Sequence, residues 1–187
     1  MKKSDIPNVI SIIRIGFVLP IVVALLHRQF ALALLLFAVA GVSDGLDGYI
    51  AKRYHYESRL GSILDPLADK LLLVSTYIAL GWLGQLPLWL VYTVVGRDFL
   101  ILCGALAYHF LVGQYAMSPT LISKLNTFVQ IVLGLAVVFS RGVYELPPNL
   151  LVTAVYVVFV TTLLSGMDYV WTWGVRAHRV WADRAGK

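Results

Sequence analysis

Long apolar runs separated by short polar turns fill most of the sequence. Each run has about 20 residues, which is enough for a helix to cross the hydrocarbon core of a bilayer. The turns between them contain Gly, Pro, Arg and Gln, residues that commonly end or separate helices. The pattern predicts six membrane-spanning helices at Asn8–His27, Phe30–Ala51, Leu60–Leu83, Leu88–Val112, Leu121–Ser140 and Asn149–Trp173.

Short connections favour antiparallel neighbours in one compact bundle. We therefore expect an all-α, polytopic membrane protein with six transmembrane helices, in which residues 1–187 form a single membrane domain. The composition agrees, because 59% of the residues are hydrophobic and 13% are charged, whereas globular domains have about 25% charged residues. The first apolar run lacks a small-residue cleavage site, so we expect it to be retained.

The distribution of Lys and Arg predicts the orientation of this bundle, because cytoplasmic loops are enriched in these residues. Six spans put both termini on one side of the membrane, and most of the cations fall on that side. They are Lys2, Lys3, Lys52, Arg53, Arg59, Arg176, Arg179, Arg184 and Lys187, against Arg28 and Arg141 on the other side. We therefore expect both termini on the cytoplasmic side. For the location we expect a multi-pass protein of a bacterial inner membrane. The net charge of +5 then indicates contact with membrane lipids and not with nucleic acid.

Four aspartates, Asp44, Asp47, Asp65 and Asp69, interrupt the second and third apolar runs. Carboxylates near hydrocarbon are costly, and their presence there indicates a functional site. Within each pair the spacing of three or four residues puts both side chains on one helical face. Carboxylate oxygens suit Mg²⁺, Mn²⁺ or Ca²⁺, and two such ions can clamp a phosphoryl group. The pattern predicts a two-metal site near the cytoplasmic face.

The residues around these aspartates extend the pattern to Asp44-x2-Asp47-Gly48-x2-Ala51-Lys52-x8-Gly61-x3-Asp65-x3-Asp69. This arrangement closely resembles the signature of the CDP-alcohol phosphotransferases. Every fixed position of the signature matches except Lys52, where the family usually has Arg. Lysine keeps the positive charge but lacks the planar donor fork of arginine.

The resemblance implies transfer of a phospho-alcohol from a CDP-linked donor to an acceptor hydroxyl, with release of CMP. It implies that the four aspartates hold two divalent cations, Mg²⁺ or Mn²⁺. It also implies contacts to the cytidine diphosphate from Asp44, Gly48, Ala51, Lys52 and Gly61. Asp69 is the candidate catalytic base for the acceptor hydroxyl, and a role as a metal ligand alone is equally open. Members of the family are commonly homodimers, so we expect a homodimer here.

Two cations within the apolar runs, Arg97 and Lys124, are candidates for holding the phosphate of the acceptor, because intramembrane cations usually serve a ligand or a pathway. Structural alternatives exist for both. Arg97 could pair with Asp98, although adjacent helical residues do not face each other well, and Lys124 could extend to the membrane interface. Asn126 could join two helices by hydrogen bonds. We assign no role to Asp168.

The stretch Pro119–Gln130 contains Ser-Lys-Leu-Asn-Thr and is similar to the corresponding region of the eukaryotic-type cardiolipin synthases. These family members join CDP-diacylglycerol to phosphatidylglycerol. Phosphatidylglycerophosphate synthases, which use glycerol-3-phosphate, have a related Gly-Lys-x-Lys-Thr-x-x-Gln pattern there. The resemblance favours phosphatidylglycerol as the acceptor and glycerol-3-phosphate as the alternative. Two further alternatives are a cation or proton transporter and a catalytically inactive homologue.

Overall fold

The computed structural model describes residues 6–54, 61–111 and 120–185, and it describes side chains in 15–43, 67–104 and 120–172. These residues form six α-helices and no β-strand. The helices are α1 (Ile6–Leu26), α2 (Phe30–Tyr54), α3 (Gly61–Trp82), α4 (Leu88–Leu111), α5 (Leu121–Gly142) and α6 (Pro148–Ala185). The all-α prediction is therefore confirmed for the part of the chain that the structure describes.

The apolar pattern located the start of several helices correctly, and one helix is longer than its apolar span. Helices α2, α4 and α5 begin at the predicted residues, Phe30, Leu88 and Leu121. The last predicted span, Asn149–Trp173, agrees with the apolar segment Pro148–Thr172, and α6 continues beyond that segment to Ala185. Its 38 residues correspond to about 57 Å at 1.5 Å per residue, well beyond the roughly 30 Å of a hydrocarbon core. An apolar run marks the part of a helix in contact with hydrocarbon and not the whole helix.

Two helical segments among the described residues, Leu121–Gly142 and Pro148–Thr172, are long and apolar enough to cross a membrane. Two shorter apolar helical segments are Ile15–Leu26 and Phe30–Ser43. The described residues thus provide two membrane-spanning candidates, and the six-span bundle stays a proposal.

The predicted turns after the first and third apolar runs share one hydrogen-bond pattern. After α1, Arg28 has a left-handed backbone with φ 59°. Its N–H donates to the Leu25 carbonyl at 2.8 Å, and the next N–H donates to the Ala24 carbonyl at 2.8 Å. Gly84 ends α3 in the same way, at φ 68°, with the next N–H 2.8 Å from the Leu80 carbonyl. Both turns are Schellman motifs, which satisfy carbonyls left over at a helix C-terminus.

The chain divides into two compact units, the first formed by Met1–Leu86 and Gly134–Pro147. In this unit α1 packs against both α2 and α3, so the two helices that contain the aspartate signature share a neighbour. Large buried side chains here include Ile21, Leu25, Tyr77, Leu80 and Val138. These side chains form part of the apolar core of this unit, in which α1 packs against α3.

The second unit consists of Pro87–Leu133 and Pro148–Lys187, and in it α4 packs against α6. Near the start of α4 the Trp89 ring meets the Phe159 ring of α6 edge-on, with centroids 5.1 Å apart. Further along, the Tyr169 hydroxyl donates to the Ile101 carbonyl at 3.0 Å. An added Cβ on Gly104 would lie 2.9 Å from the Tyr169 ring, so this glycine gives the ring its place against α4.

Candidate functional site

The aspartate signature lies on two helices, as predicted. Asp44 and Asp47 belong to α2, and Asp65 and Asp69 belong to α3. The signature positions outside the described side chains are Asp44, Asp47, Gly48, Ala51, Lys52, Gly61 and Asp65. Their backbones are helical, which supports the shared faces expected from spacings of three and four residues.

Asp69 is the one signature aspartate whose side chain the structure describes. It is exposed, whereas the preceding residue, Ala68, is fully buried. At this turn of α3, Ala68 therefore lies on the buried side and Asp69 on the exposed side. Among the described side chains there is no cluster of three or more His, Cys, Asp or Glu residues that could hold a metal ion. The predicted cation site stays a prediction, and its donor set of carboxylates on two helices beside α1 fits a hard divalent cation.

Arg97 of α4 is a buried charged residue of the second unit that makes several side-chain hydrogen bonds. It is 7% exposed, and its Nη1 donates to Asp98 Oδ1 at 2.7 Å. Its Nη2 donates to Ser123 Oγ of α5 at 2.7 Å and also to Ser165 Oγ of α6. We call Arg97, Asp98, Ser123 and Ser165 the arginine cluster. The cluster joins three helices through one guanidinium group.

The structure contains the pairing of Arg97 with Asp98 that the sequence left open as a structural alternative. Adjacent residues on a helix do not face each other, yet the long arginine side chain brings its guanidinium back to the carboxylate. Both side chains are largely buried, at 5% and 11% exposed. A buried charge pair of this kind needs good geometry and further hydrogen bonds to offset its loss of hydration, and the two serine hydroxyls provide them.

The arginine cluster does not use all five N–H donors of the guanidinium. The Nε atom is buried and has no hydrogen-bond partner among the described residues. A buried donor without a partner is costly, by about 1–3 kcal/mol. Arg97 therefore retains an N–H that could donate a hydrogen bond to an oxygen of a bound molecule.

Lys124, the second candidate for acceptor binding, lies on α5 directly after Ser123 of the arginine cluster. Its side chain is exposed. Its backbone N–H donates to the Thr120 carbonyl at 3.1 Å in the first turn of α5. The structure therefore puts Arg97 against the turn of α5 that contains Lys124, but only Arg97 is buried.

A second polar cluster, which we call the asparagine cluster, joins α5 and α6. Asn126 is fully buried, and its Oδ1 accepts from Thr161 Oγ1 at 3.0 Å and Thr162 Oγ1 at 2.9 Å. Gln130 Nε2 donates to Thr162 Oγ1 at 3.2 Å. Hydrogen bonds of this kind hold helices together in an apolar environment, so the helix-joining role considered for Asn126 is confirmed.

No role was assigned from the sequence to three polar residues of α6, which are Thr162, Ser165 and Asp168. Thr162 and Ser165 contact the clusters, and Asp168 has a buried Oδ2 without a hydrogen-bond partner among the described residues. A signal for them exists, because these three residues are spaced by three within an apolar run. Such spacing indicates a polar stripe on one helical face.

Comparison with known proteins gives a match to a protein family. Residues 4–167 match the family model for CDP-alcohol phosphatidyltransferase. This match includes the complete aspartate signature and the arginine cluster.

Individual relatives agree with this match. A cardiolipin synthase (CMP-forming) of Rattus norvegicus is 38% identical over 144 residues, which cover 68% of this chain and 48% of the rat protein. A cardiolipin synthase (CMP-forming) of Streptomyces coelicolor is 39% identical over 116 residues, covering 58% of this chain and 54% of that protein. A probable phosphatidylglycerophosphate synthase of Mycobacterium tuberculosis is 30% identical over 178 residues, covering 90% of this chain and 81% of that protein. The chain thus spans about half the length of the two cardiolipin synthases.

Proposed function

The chain belongs to the CDP-alcohol phosphatidyltransferase family, and from this we propose that it transfers a phosphatidyl group from CDP-diacylglycerol to phosphatidylglycerol, giving cardiolipin and CMP. The observation that carries the proposal is the aspartate signature, whose spacing matches the family at every carboxylate and glycine. The similarity to two proteins named cardiolipin synthase (CMP-forming) supports the choice of acceptor.

In the proposed reaction a glycerol hydroxyl oxygen of the acceptor forms a bond to the phosphorus that bears diacylglycerol. The bond from this phosphorus to the CMP oxygen breaks, and CMP leaves with that electron pair. The hydroxyl proton goes to the carboxylate of Asp69, which acts as general base. The exposed position of Asp69 on α3 is compatible with this role.

The proposed donor site uses the signature residues. Asp44, Asp47, Asp65 and Asp69 would hold two divalent cations, Mg²⁺ or Mn²⁺, whose chemical contribution is to offset negative charge on the phosphoryl oxygens. Lys52 adds a positive charge for the diphosphate. Contacts to the cytidine diphosphate come from Asp44, Gly48, Ala51, Lys52 and Gly61, where small residues leave room for the donor.

The proposed acceptor site uses Arg97 and Lys124. Arg97 supports this assignment with a buried Nε–H that has no partner in the described part of the chain. An anionic phosphodiester oxygen is the type of acceptor that a buried guanidinium binds strongly. Lys124 is exposed on the adjoining turn of α5 and would supply a second positive charge.

The proposal includes the arrangement in the membrane. Residues 1–187 would act as one membrane domain of six spans, with cytoplasmic termini and active site, in a bacterial inner membrane and as a homodimer. The two apolar helical segments Leu121–Gly142 and Pro148–Thr172 support membrane insertion. A cytoplasmic active site would be accessible to the nucleotide part of the donor.

A phosphatidylglycerophosphate synthase is the second candidate, favoured by the similarity to the mycobacterial protein over 90% of this chain. It would use glycerol-3-phosphate and the same donor. A panel of acceptors separates the two candidates. The purified protein in detergent with lipid receives CDP-diacylglycerol and Mg²⁺ or Mn²⁺, with either phosphatidylglycerol or glycerol-3-phosphate.

Cardiolipin and CMP in the first reaction would support the main proposal, and phosphatidylglycerophosphate in the second would replace it with the other candidate. If neither acceptor gives metal-dependent CMP release, the enzymatic proposal is wrong. Metal-coupled ion flux in proteoliposomes without CMP release would instead indicate the cation or proton transporter.

A further inference from the structure

The serine hydroxyls of the arginine cluster have a specific geometric relation to Arg97. Both accept hydrogen bonds from the same nitrogen, Nη2, which has two N–H donors. Ser123 Oγ lies 2.7 Å from Nη2, and Ser165 Oγ contacts the same atom. The two serines therefore accept from both N–H groups of Nη2. The Nε–H has no hydrogen-bond partner among the described residues.

Asp98 occupies a third position around the guanidinium, at 2.7 Å from Nη1. With Nη1 held on one side and Nη2 held by two hydroxyls, the plane of the guanidinium has one orientation. Gly166 of α6 lies beside the aliphatic stem of this arginine, because an added Cβ there would be 3.8 Å from Arg97 Cγ, an ordinary van der Waals distance. A guanidinium fixed in this way presents Nε–H in one direction.

We propose that Ser123 and Ser165 are positioning residues for acceptor binding, which hold Arg97 so that its Nε–H meets a phosphate oxygen of the acceptor. This inference rests on the proposed function. An arginine that served only to join α4, α5 and α6 would lose little by having Nε satisfied within the protein. A buried cationic donor left unsatisfied costs free energy, and a ligand oxygen that accepts from it recovers that cost.

The asparagine cluster offers a matched control for this proposal. Thr162 is buried on α6 one turn before Ser165. Its hydroxyl joins α6 to α5, whereas the Ser165 hydroxyl joins α6 to α4. None of the hydrogen bonds described for Thr162 involves Arg97. A Thr162→Val variant therefore removes a buried interhelical hydroxyl of α6 without removing any hydrogen bond described for the guanidinium.

The test measures the KM for phosphatidylglycerol and the KM for CDP-diacylglycerol separately, together with the melting temperature of each variant in detergent. The variants are Ser123→Ala, Ser165→Ala and Thr162→Val, with Ser123→Thr and Ser165→Thr as variants that keep the hydroxyl. Ser123 is only half-buried, so its variant provides a measurement even where Ser165→Ala does not fold.

We expect each Ser→Ala variant to raise the KM for phosphatidylglycerol about tenfold, the effect of losing one hydrogen bond to a charged group. The KM for CDP-diacylglycerol should stay within about twofold of the wild-type value. The Ser→Thr variants should restore the KM for phosphatidylglycerol. The Thr162→Val variant should lower the melting temperature and leave the KM for phosphatidylglycerol unchanged.

Three results would overturn the positioning role in an active enzyme. They are an equal rise in both KM values for the Ser→Ala variants, no restoration by threonine, and a Thr162→Val variant that raises the acceptor KM as much as Ser165→Ala. A wild-type protein that releases no CMP with any acceptor would overturn the proposed function itself. That result is obtained before any variant is measured, so the two failures are distinguishable.

Discussion

The charge pair between Arg97 and Asp98 allows a quantitative prediction about stability. Their N–O distance is 2.7 Å, and the side chains are 5% and 11% exposed. At this distance the Coulomb attraction is about 6 kcal/mol with an effective dielectric constant of about 20. The loss of hydration of two buried ions offsets most of this attraction, so the pair adds little net stability. The two single variants should be much more damaging than the double variant.

We predict that Asp98→Leu lowers the free energy of unfolding by about 3–5 kcal/mol, because it leaves the Arg97 charge buried without its carboxylate. Arg97→Met should cost a similar amount, since the Asp98 carboxylate then loses its cation. The double variant should cost less than either single one, which corresponds to a coupling of at least about 3 kcal/mol.

The assay is unfolding in mixed micelles of a mild and a denaturing detergent, followed by tryptophan fluorescence, in the absence of substrate and metal. Glu145→Gln is the control, because Glu145 is exposed in the connection before α6, and it should change the free energy of unfolding by less than about 0.5 kcal/mol. The reasoning is refuted if the costs of the two single variants add up in the double variant. It is also refuted if each single variant costs less than about 1 kcal/mol.

The remaining predictions concern backbone geometry and burial. Arg28→Gly should raise the melting temperature, and Gly84→Ala should lower stability by about 1–2 kcal/mol, because both positions are left-handed and a Cβ is unfavourable there. Gly142→Ala should destabilise by about 1–3 kcal/mol, since the new Cβ would lie 2.7 Å from the Ala31 backbone nitrogen. The control Gly96→Ala, with open space around its Cβ, should not destabilise the protein. Equal melting temperatures for Gly142→Ala and Gly96→Ala would contradict this account. Asp168→Asn should raise the stability of the ligand-free protein in the same detergent assay, because it replaces a carboxylate whose buried Oδ2 has no hydrogen-bond partner among the described residues with a neutral amide.

Much of the helical framework follows from the sequence because two independent signals agree. Apolar runs of spanning length predict the helix bodies, and breaker residues predict the gaps between them. The turn at Gly84 illustrates this agreement, since its positive φ is a conformation that glycine adopts without strain. The turn at Arg28 has the same geometry without glycine, so residue type alone would not predict its left-handed backbone.

The arginine cluster was only partly predictable from the sequence. Arg97 is conspicuous as a cation in an apolar run, but its partners Ser123 and Ser165 lie 26 and 68 residues away. Serine is common in membrane helices, and one serine in a sequence does not indicate which helix it faces. The polar stripe of α6 predicts a buried face, but the choice of partner depends on the three-dimensional packing of α4, α5 and α6.

The measurement that tests the central claim most directly is CMP release from CDP-diacylglycerol in the presence of phosphatidylglycerol, compared between the wild-type protein and Asp65→Asn. The account predicts equal amounts of CMP and cardiolipin from the wild type, and loss of both products on chelation of divalent cations. It predicts a loss of at least about a thousandfold in Asp65→Asn, with activity retained in Glu145→Gln. Unchanged activity in Asp65→Asn, or activity that persists without divalent cations, would contradict the account.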